Sequence, residues 1–268
     1  MTAPLREWFE LYRALARATL RARLTYRWNF VLSLTTQMAT LTAEVLVMVF
    51  LVTLVHGIAG WNAGQILLLI GFSQAGSGLY RVFFAELHEF DRYLVQGEFD
   101  AILTRPASPL FILMTRSLDP EQGGYLLQGL AMLALGIWRS GVWKTPLLTA
   151  GATAVGLVAD GTVMASLVVA TATVGFWTTR IDEIQPLVLY GPEAAASYPM
   201  TTYPRAIQWL FVSVIPVALG GFIPASVMLQ KHMPPEALAI SLVGSGAAAV
   251  LAWRFWNAGV KRYTSTGS

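Results

Sequence analysis

The chain contains 268 residues, of which 55% are hydrophobic and only 12% are charged. Soluble domains carry about 25% charged residues, so a water-soluble globule of this size is excluded. A disordered chain is excluded too, because such chains are poor in apolar residues. The composition therefore predicts an all-α polytopic membrane protein, and the length allows about six spans of some 20 residues each. The formal charge is +3, and no cysteine is present for disulfides or thiolate chemistry.

Residues 4–27 have the pattern of an amphipathic helix. Aromatic and aliphatic residues recur at three- and four-residue steps on one face, and arginines recur on another. This pattern favours a helix on the membrane surface, with aromatic side chains in lipid and arginines near phosphates. A solvated helix with one packed face is the alternative. We therefore divide the chain into an amphipathic interfacial helix, residues 1–27, and a six-span membrane domain, residues 28–268.

Apolar runs predict the spans that follow. The first three cover residues 28–55, 66–84 and 123–138, and a polar, charged loop at 85–120 separates the second from the third. The later runs lie at 147–177, 206–229 and 237–256. The fifth run is interrupted by two prolines and a Gly-Gly pair, and small residues recur at four-residue spacing in the fourth and sixth. That spacing is typical of close helix packing, either within the chain or between two copies.

Two topologies fit residues 147–229. In the first, 147–177 is one long span, 178–205 is cytoplasmic and 206–229 is the fifth span. In the second, 147–190 forms two spans with a turn near Asp160-Gly161, 191–205 is external, and 206–229 is a re-entrant hairpin. The first keeps three charged residues at 180–183 out of lipid. The second accounts for the interrupted character of 206–229, since irregular backbone at membrane depth must be buried in protein.

The positive charges indicate the orientation. If six spans alternate, 15 of the 18 Lys and Arg residues lie on one side of the membrane. Cytoplasmic loops carry this excess, so both termini are expected in the cytoplasm.

No pattern for catalysis is present. The chain has no glycine-rich phosphate loop ending in Gly-Lys-Ser/Thr, no nucleophile elbow and no histidine spacing suited to metal. We expect no catalytic residue, metal or cofactor in this chain, and no nucleic-acid partner. Glu44 and Asp160 lie within apolar runs, where an ionisable group is a functional candidate for a proton or a cationic substrate. Alternatively, Glu44 pairs with an arginine or hydrogen-bonds a neighbouring span. Asp160 then caps a helix at a bend with Gly161 or, in the second topology, faces the cytoplasm.

The loop at 85–120 is the most informative stretch. Acidic residues alternate with apolar ones between residues 86 and 103, which predicts two short amphipathic helices broken at Gly97, followed by a proline-bounded turn at 106–109. A structured cytoplasmic loop of this kind presents apolar side chains and charges to a soluble partner. An amphipathic elbow on the membrane surface is the alternative.

The same loop carries a resemblance to a known family. QGEFDAILTRPASPLF resembles the conserved loop of permease subunits of type-two-class ABC exporters, in an uncharacterised transport-system branch. TYRWNFVLS resembles the entry to that branch's first span, SYPMTTYPRAIQWLFVSVIPVALGGFIPASVML its region before the last span, and RFWNAGVKRYTSTGS its ending. The resemblance covers nearly the whole chain, and its motifs are specific to the branch but not to a substrate.

The resemblance implies a transport subunit that is not itself an enzyme. Such permeases have six spans, pair with an identical or related second permease, and bind two copies of a separate ATP-binding subunit, which holds ATP and Mg²⁺. The loop between the second and third spans then supplies the coupling helix at residues 86–103, and the N-terminal helix corresponds to the class's connecting helix. The implied coupling residues are Glu86, Glu89, Asp91, Arg92, Gly97, Glu98, Asp100, Arg105 and Pro106.

The expected substrate path lies at the permease dimer interface in the lipid bilayer. Because it offers few fixed charges, a hydrophobic or amphipathic substrate is expected: a drug, peptide or lipid-like molecule. The residues predicted to line it are Phe30, Gln37, Leu41, Glu44, Met48, Phe50 and Asp160. Two other functions stay open, a non-transporting membrane scaffold and a proton-coupled secondary transporter that relies on Glu44.

Overall fold

The computed structural model describes residues 27–54, 57–117, 123–178, 180–231 and 233–264. In this part of the chain every regular element is helical, and the one β-type contact is an isolated bridge between Ile58 and Trp61. The predicted interfacial helix at 1–27 lies almost wholly outside the described residues. The α-helices are α1 Arg27–Leu54, α2 Ala63–Phe84, α3 Phe90–Val95, α4 Glu98–Leu103, α5 Pro109–Arg116, α6 Gly123–Ser140, α7 Pro146–Thr178, α8 Gly191–Ala196, α9 Arg205–Ser213, α10 Phe222–Met228 and α11 Ala237–Arg262.

Helices α2 and α6 form a very close antiparallel pair. The pair depends on glycines spaced seven residues apart on both helices, since a side chain at any of them would collide with the opposite backbone. A Cβ on Gly71, for example, would lie 2.5 Å from the backbone of Leu133. The glycines of α2 and the α6 residues that they face are Gly64 and Arg139, Gly71 and Leu133, and Gly78 and Leu126; those of α6 are Gly129, against Ala75, and Gly136, against Leu68.

Helix α7 is the centre of the fold and packs against both α2 and α11. It runs unbroken for 33 residues, so the first topology is right about a single long element at 147–177. The predicted turn near Asp160-Gly161 is wrong, because both residues lie inside this helix. Gly161 serves a close contact rather than a turn: a Cβ there would lie 2.8 Å from the side chain of Leu79.

The small residues at four-residue spacing are used mainly within the chain. On α7, Ala152 and Gly156 are buried, with Gly156 against the ring of Phe72. On α11, Ser241 and Ser245 are buried as well. Intrachain packing is thus confirmed for these four positions.

The chain between α7 and α11 follows an irregular path. A π-helical turn at Pro186–Tyr190 leads into α8, and α9 is followed by a 3₁₀ turn at Val217–Leu219 and by α10. The direction of the chain changes by 81° between α9 and the Val217–Met228 segment. Pro216 stands at this bend, where its missing N–H removes a helical hydrogen bond. The interruption predicted for 206–229 is confirmed.

The two ends of the bundle differ in character. The Trp61 end comprises residues 57–62, 141–145 and 229–231. There Lys231 Nζ donates a hydrogen bond of 2.7 Å to the Gly60 carbonyl and lies 4.6 Å from the centre of the Trp61 ring. Partial burial lowers the pKa of Lys231 below its ordinary value. The Phe99 end comprises residues 85–108, 176–185 and 256–263, and it carries the charged loop.

Three helical stretches among the described residues are long and apolar enough to cross a membrane. They are Ala63–Val95, Pro146–Thr178 and Ala237–Arg262, and the bent pair α9 and Val217–Met228 makes a fourth if it counts as one span. The described structure is therefore an all-helical assembly with three or four candidate spans.

Candidate functional site

The predicted pair of short helices is present at the Phe99 end. A 3₁₀ turn at Ala85–Glu89 continues α2 into α3, and α4 follows after Gly97. Gly97 has a φ of 70°, a left-handed conformation that glycine adopts without strain, so the break falls where it was predicted. Ser108 then caps α5 by accepting a hydrogen bond from the N–H of Phe111. We call residues 85–108 the elbow segment.

Aromatic rings fasten the elbow segment to the spans. Phe90 lies 5.2 Å from Phe176 of α7 and 5.2 Å from Trp256 of α11, measured between ring centres. Phe99 lies 5.3 Å from Phe90 and 5.1 Å from Tyr263. Phe90 and Phe99 are fully buried, and contacts of this kind add about 0.5–1.5 kcal/mol per pair beyond burial. The elbow segment is therefore packed directly against α7 and α11.

The sequence predicted that the apolar residues of the elbow segment face a soluble partner. In the structure most of them pack inside the chain instead. Leu87, Phe90, Leu94, Phe99 and Ile102 are all buried inside this chain. Their periodicity is that of a helix face packed on its own bundle. Val95 and Leu103, with 65% and 40% of their surface exposed, are the large apolar residues of α3 and α4 that remain accessible.

Charged groups occupy the other face of the elbow segment. Arg92 contacts Glu89 at 2.7 Å and Glu86 at 3.3 Å. The Tyr93 hydroxyl donates to Glu86 and accepts from Arg116 Nη1 at 3.2 Å, which ties the elbow segment to α5. Exposed ion pairs of this kind add little stability, about 0–1 kcal/mol each, so their main effect is to orient the charges.

The structure brings all nine predicted coupling residues together in this one segment. Glu89, Arg92, Glu98, Arg105 and Pro106 are exposed. The remaining four, Glu86, Asp91, Gly97 and Asp100, are half-buried. Together they form a compact charged surface at one end of the bundle.

A polar junction behind the elbow segment was missed by the sequence analysis. Gln185 Nε2 donates to the Leu87 carbonyl at 3.0 Å, which fixes the orientation of its amide. The amide oxygen then faces His88 Nδ1 at 3.3 Å, so Nδ1 is the donor in this contact, and His88 Nε2 lies 3.2 Å from the Tyr80 hydroxyl. Gln185 is buried. Its bonds to Leu87 and His88 link the elbow segment to the irregular 185–228 path.

A second missed contact joins α2 to α8. Arg81 lies 3.9 Å from Glu193 and packs over the ring of Tyr125 at 4.8 Å. The Ser73 hydroxyl donates to the Glu193 carbonyl at 3.1 Å. The signal was present in the sequence, since Arg81 falls inside the predicted second span, where a charge requires a partner.

The predicted lining of the substrate path is described only at two positions. Phe50 is exposed on α1, and Asp160 is buried on α7. The side chains of Phe30, Gln37, Leu41, Glu44 and Met48 lie outside the described part of the structure. Among the residues that the structure describes, no group of three or more His, Asp and Glu could hold a metal ion.

A bundle of helices with three or four candidate spans among the described residues is the fold of a multi-pass membrane protein. The chain belongs to the ABC-2 transporter family: the family described as ABC-2 family transporter protein matches residues 38–267, most of the chain. Comparison with curated proteins and with solved structures gave no match. The protein is therefore a multi-pass membrane component of ABC-2 type permease character, and members of this family normally work with an ATP-binding subunit.

Proposed function

We propose that the chain is the permease subunit of an ATP-driven ABC exporter. Six crossings are formed by α1, α2, α6, α7, the bent pair of α9 and α10, and α11, with both termini on the cytoplasmic side of the bacterial inner membrane. The elbow segment then lies in the cytoplasm, and the Trp61 end faces outward. The excess of Lys and Arg on the elbow side supports this orientation.

The observation that carries the proposal is the geometry of the elbow segment. Most of its apolar residues are buried in packing against the bundle, with Phe90 on α7 and α11, whereas Val95 and Leu103 stay exposed. On its charged face Glu89, Arg92, Glu98 and Arg105 are exposed and accessible to a soluble partner. A surface that is both charged and rigidly fastened to the spans suits the transmission of movement from an ATP-binding subunit. Two such subunits, holding ATP and Mg²⁺, would bind a dimer of this chain or a pair of it with a related permease.

The contacts behind the elbow segment supply a route for that movement. The Gln185–His88 junction and the Arg81–Glu193 pair connect α2 and its 3₁₀ extension to the irregular 185–228 path. Movement of the elbow segment would thus reach both the straight helices and the bent span. The substrate path, at the dimer interface, would take a hydrophobic or amphipathic molecule, because the described spans carry few charges.

The test is charge reversal at Arg105. Arg105 is exposed and, within the described residues, makes no ion pair. We expect Arg105→Glu to weaken binding of the ATP-binding subunit by about tenfold, or roughly 1.4 kcal/mol, and to lower ATP-driven transport in vesicles. Lys144→Glu at the Trp61 end is the matched control, and it should leave both unchanged.

Other outcomes decide between the functions. Normal binding and transport in Arg105→Glu would overturn the assignment of the elbow segment. Copurification with an ATP-binding subunit but no transport of any tested substrate would favour a scaffold. Uptake driven by a proton gradient without any ATP-binding subunit would favour a secondary transporter.

A further inference from the structure

Asp160 lies at a very close junction of α2, α7 and the bent span. It sits near the middle of α7 with only 2% of its surface exposed, between Gly76 of α2 and Gly220 ahead of α10. A Cβ on either glycine would overlap the Asp160 side chain. Within the described residues, its Oδ2 atom has no hydrogen-bond partner. Two glycines thus make room for a carboxyl group whose Oδ2 atom no described donor satisfies.

The junction coincides with the interruption of the bent span. Gly220 ends the 3₁₀ turn Val217–Leu219, which follows the 81° change of direction. Irregular backbone at membrane depth is tolerated where it is buried in protein or lines a cavity. In transporters, such interruptions beside a polar side chain are places where ions and protons bind. The break and the unsatisfied carboxyl are independent observations that point to the same place.

Among the residues that the structure describes, no cation faces Asp160 directly. From α8, Glu193 acts on it with a negative charge, and the nearest positive charge on α2, Arg81, is already 3.9 Å from Glu193. The stretches 206–230 and 237–253, which supply the bent span and the adjoining part of α11, contain no charged residue. A metal ion would need several oxygen ligands, and no such group is found among the described residues. The chemistry left for a lone buried carboxyl is protonation.

We propose that Asp160 is a proton-binding site. In the closed junction seen here its carboxyl is the neutral acid, which avoids burying an unpaired charge. When α2, α7 and the bent span separate, water reaches the carboxyl, and the O–H bond breaks to give a carboxylate and a hydrated proton. The neutral state of Asp160 in the closed junction is a property of this chain alone. The release of its proton rests on the proposed function, because it is tied to transport.

The first test is infrared spectroscopy of the full chain in lipid bilayers. We expect wild type at neutral pH to show the carbonyl band of a protonated carboxylic acid, and Asp160→Asn to lack it. Asp182→Asn, which removes an exposed carboxylate, is the matched control and should keep the band. An identical band in wild type and Asp160→Asn would overturn the proposal. This readout needs no ATP-binding subunit, so its failure is distinct from failure of the proposed function.

The second test uses stability as a function of pH. A carboxyl that stays neutral in the folded protein binds its proton more tightly there than in the unfolded chain. Its contribution to the free energy of unfolding therefore falls as the pH rises above about 4, where an aspartate in the unfolded chain loses its proton. The unfolding midpoint of wild type should therefore drop relative to that of Asp160→Asn as the pH increases. Parallel pH profiles for the two proteins would contradict the proposal. In ATP-driven transport, Asp160→Asn should lose a pH dependence that Asp182→Asn retains.

Discussion

Single glycines determine how closely the helices of this protein approach one another. Gly71 faces the backbone of Leu133, and Gly76 faces the carboxyl of Asp160, so neither position has space for a methyl group. Gly151 of α7, by contrast, has no atom within 4 Å of the place where its Cβ would lie. The same residue type therefore has opposite roles in helices of one bundle.

Substitution of these glycines by alanine tests this difference. We expect Gly71→Ala to destabilise the protein by about 1–3 kcal/mol, because the added methyl group forces α2 and α6 apart. Gly151→Ala should be neutral or stabilising by up to about 1 kcal/mol, since alanine is the better helix former. Thermal unfolding in detergent measures both, and an equal loss of stability in the two variants would contradict the packing of α2 on α6.

The sequence shows which single residues are unusual, but not which residues they contact. Asp160 stood out as an acid in an apolar run, but the following glycine suggested a turn where the structure has a continuous helix. The reason is that glycine signals both turns and close packing, and one sequence does not separate the two. Gln185 gave no signal at all, because its partner His88 is 97 residues away in the chain.

The polar junction of Gln185 and His88 joins the elbow segment to the π-helical turn. Gln185 contacts both the Leu87 carbonyl and His88, and the ring of His88 lies parallel to that of Tyr190 at 6.4 Å. Loss of the Gln185 amide would leave the buried Leu87 carbonyl and His88 Nδ1 without these partners.

A double-mutant cycle tests the coupling between these two elements. We expect Gln185→Ala and His88→Ala each to lower stability, and the double variant to lose about 0.5–3 kcal/mol less than the sum of the two. His88→Ala combined with Ser213→Ala, whose hydroxyl bonds within α9, is the control pair and should be additive. Additivity in both cycles would show that the junction does not join the elements.

The elements were predictable to the extent that they depend on local pattern. Apolar runs indicated the positions of α2, α6, α7 and α11, and Gly97 and Pro216 indicated two real breaks. The burial of Phe90 and Phe99 was not predictable, because an amphipathic helix looks the same whether its apolar face packs on its own chain, a partner or lipid. The packing of α3 and α4 against α7 and α11 shows that the apolar face is buried in its own chain. This packing is a property of the tertiary structure.

The whole molecule combines a tightly packed bundle with a strong difference between its ends. At the Trp61 end Lys231 bonds the Gly60 carbonyl, while the Phe99 end carries the charged elbow segment on an aromatic cluster. Because the chain belongs to the ABC-2 family, we infer that the elbow segment contacts the ATP-binding subunit.

Site-directed cross-linking detects this contact. Because the chain contains no cysteine, single cysteines can be introduced without removing native ones. We predict that Val95→Cys and Leu103→Cys cross-link to the ATP-binding subunit in the assembled complex, with yields that change when ATP binds. Leu147→Cys, at a position 88% exposed at the Trp61 end, should give no such product. Cross-linking from Leu147→Cys, with none from Val95→Cys or Leu103→Cys, would show that the ATP-binding subunit does not bind the elbow segment.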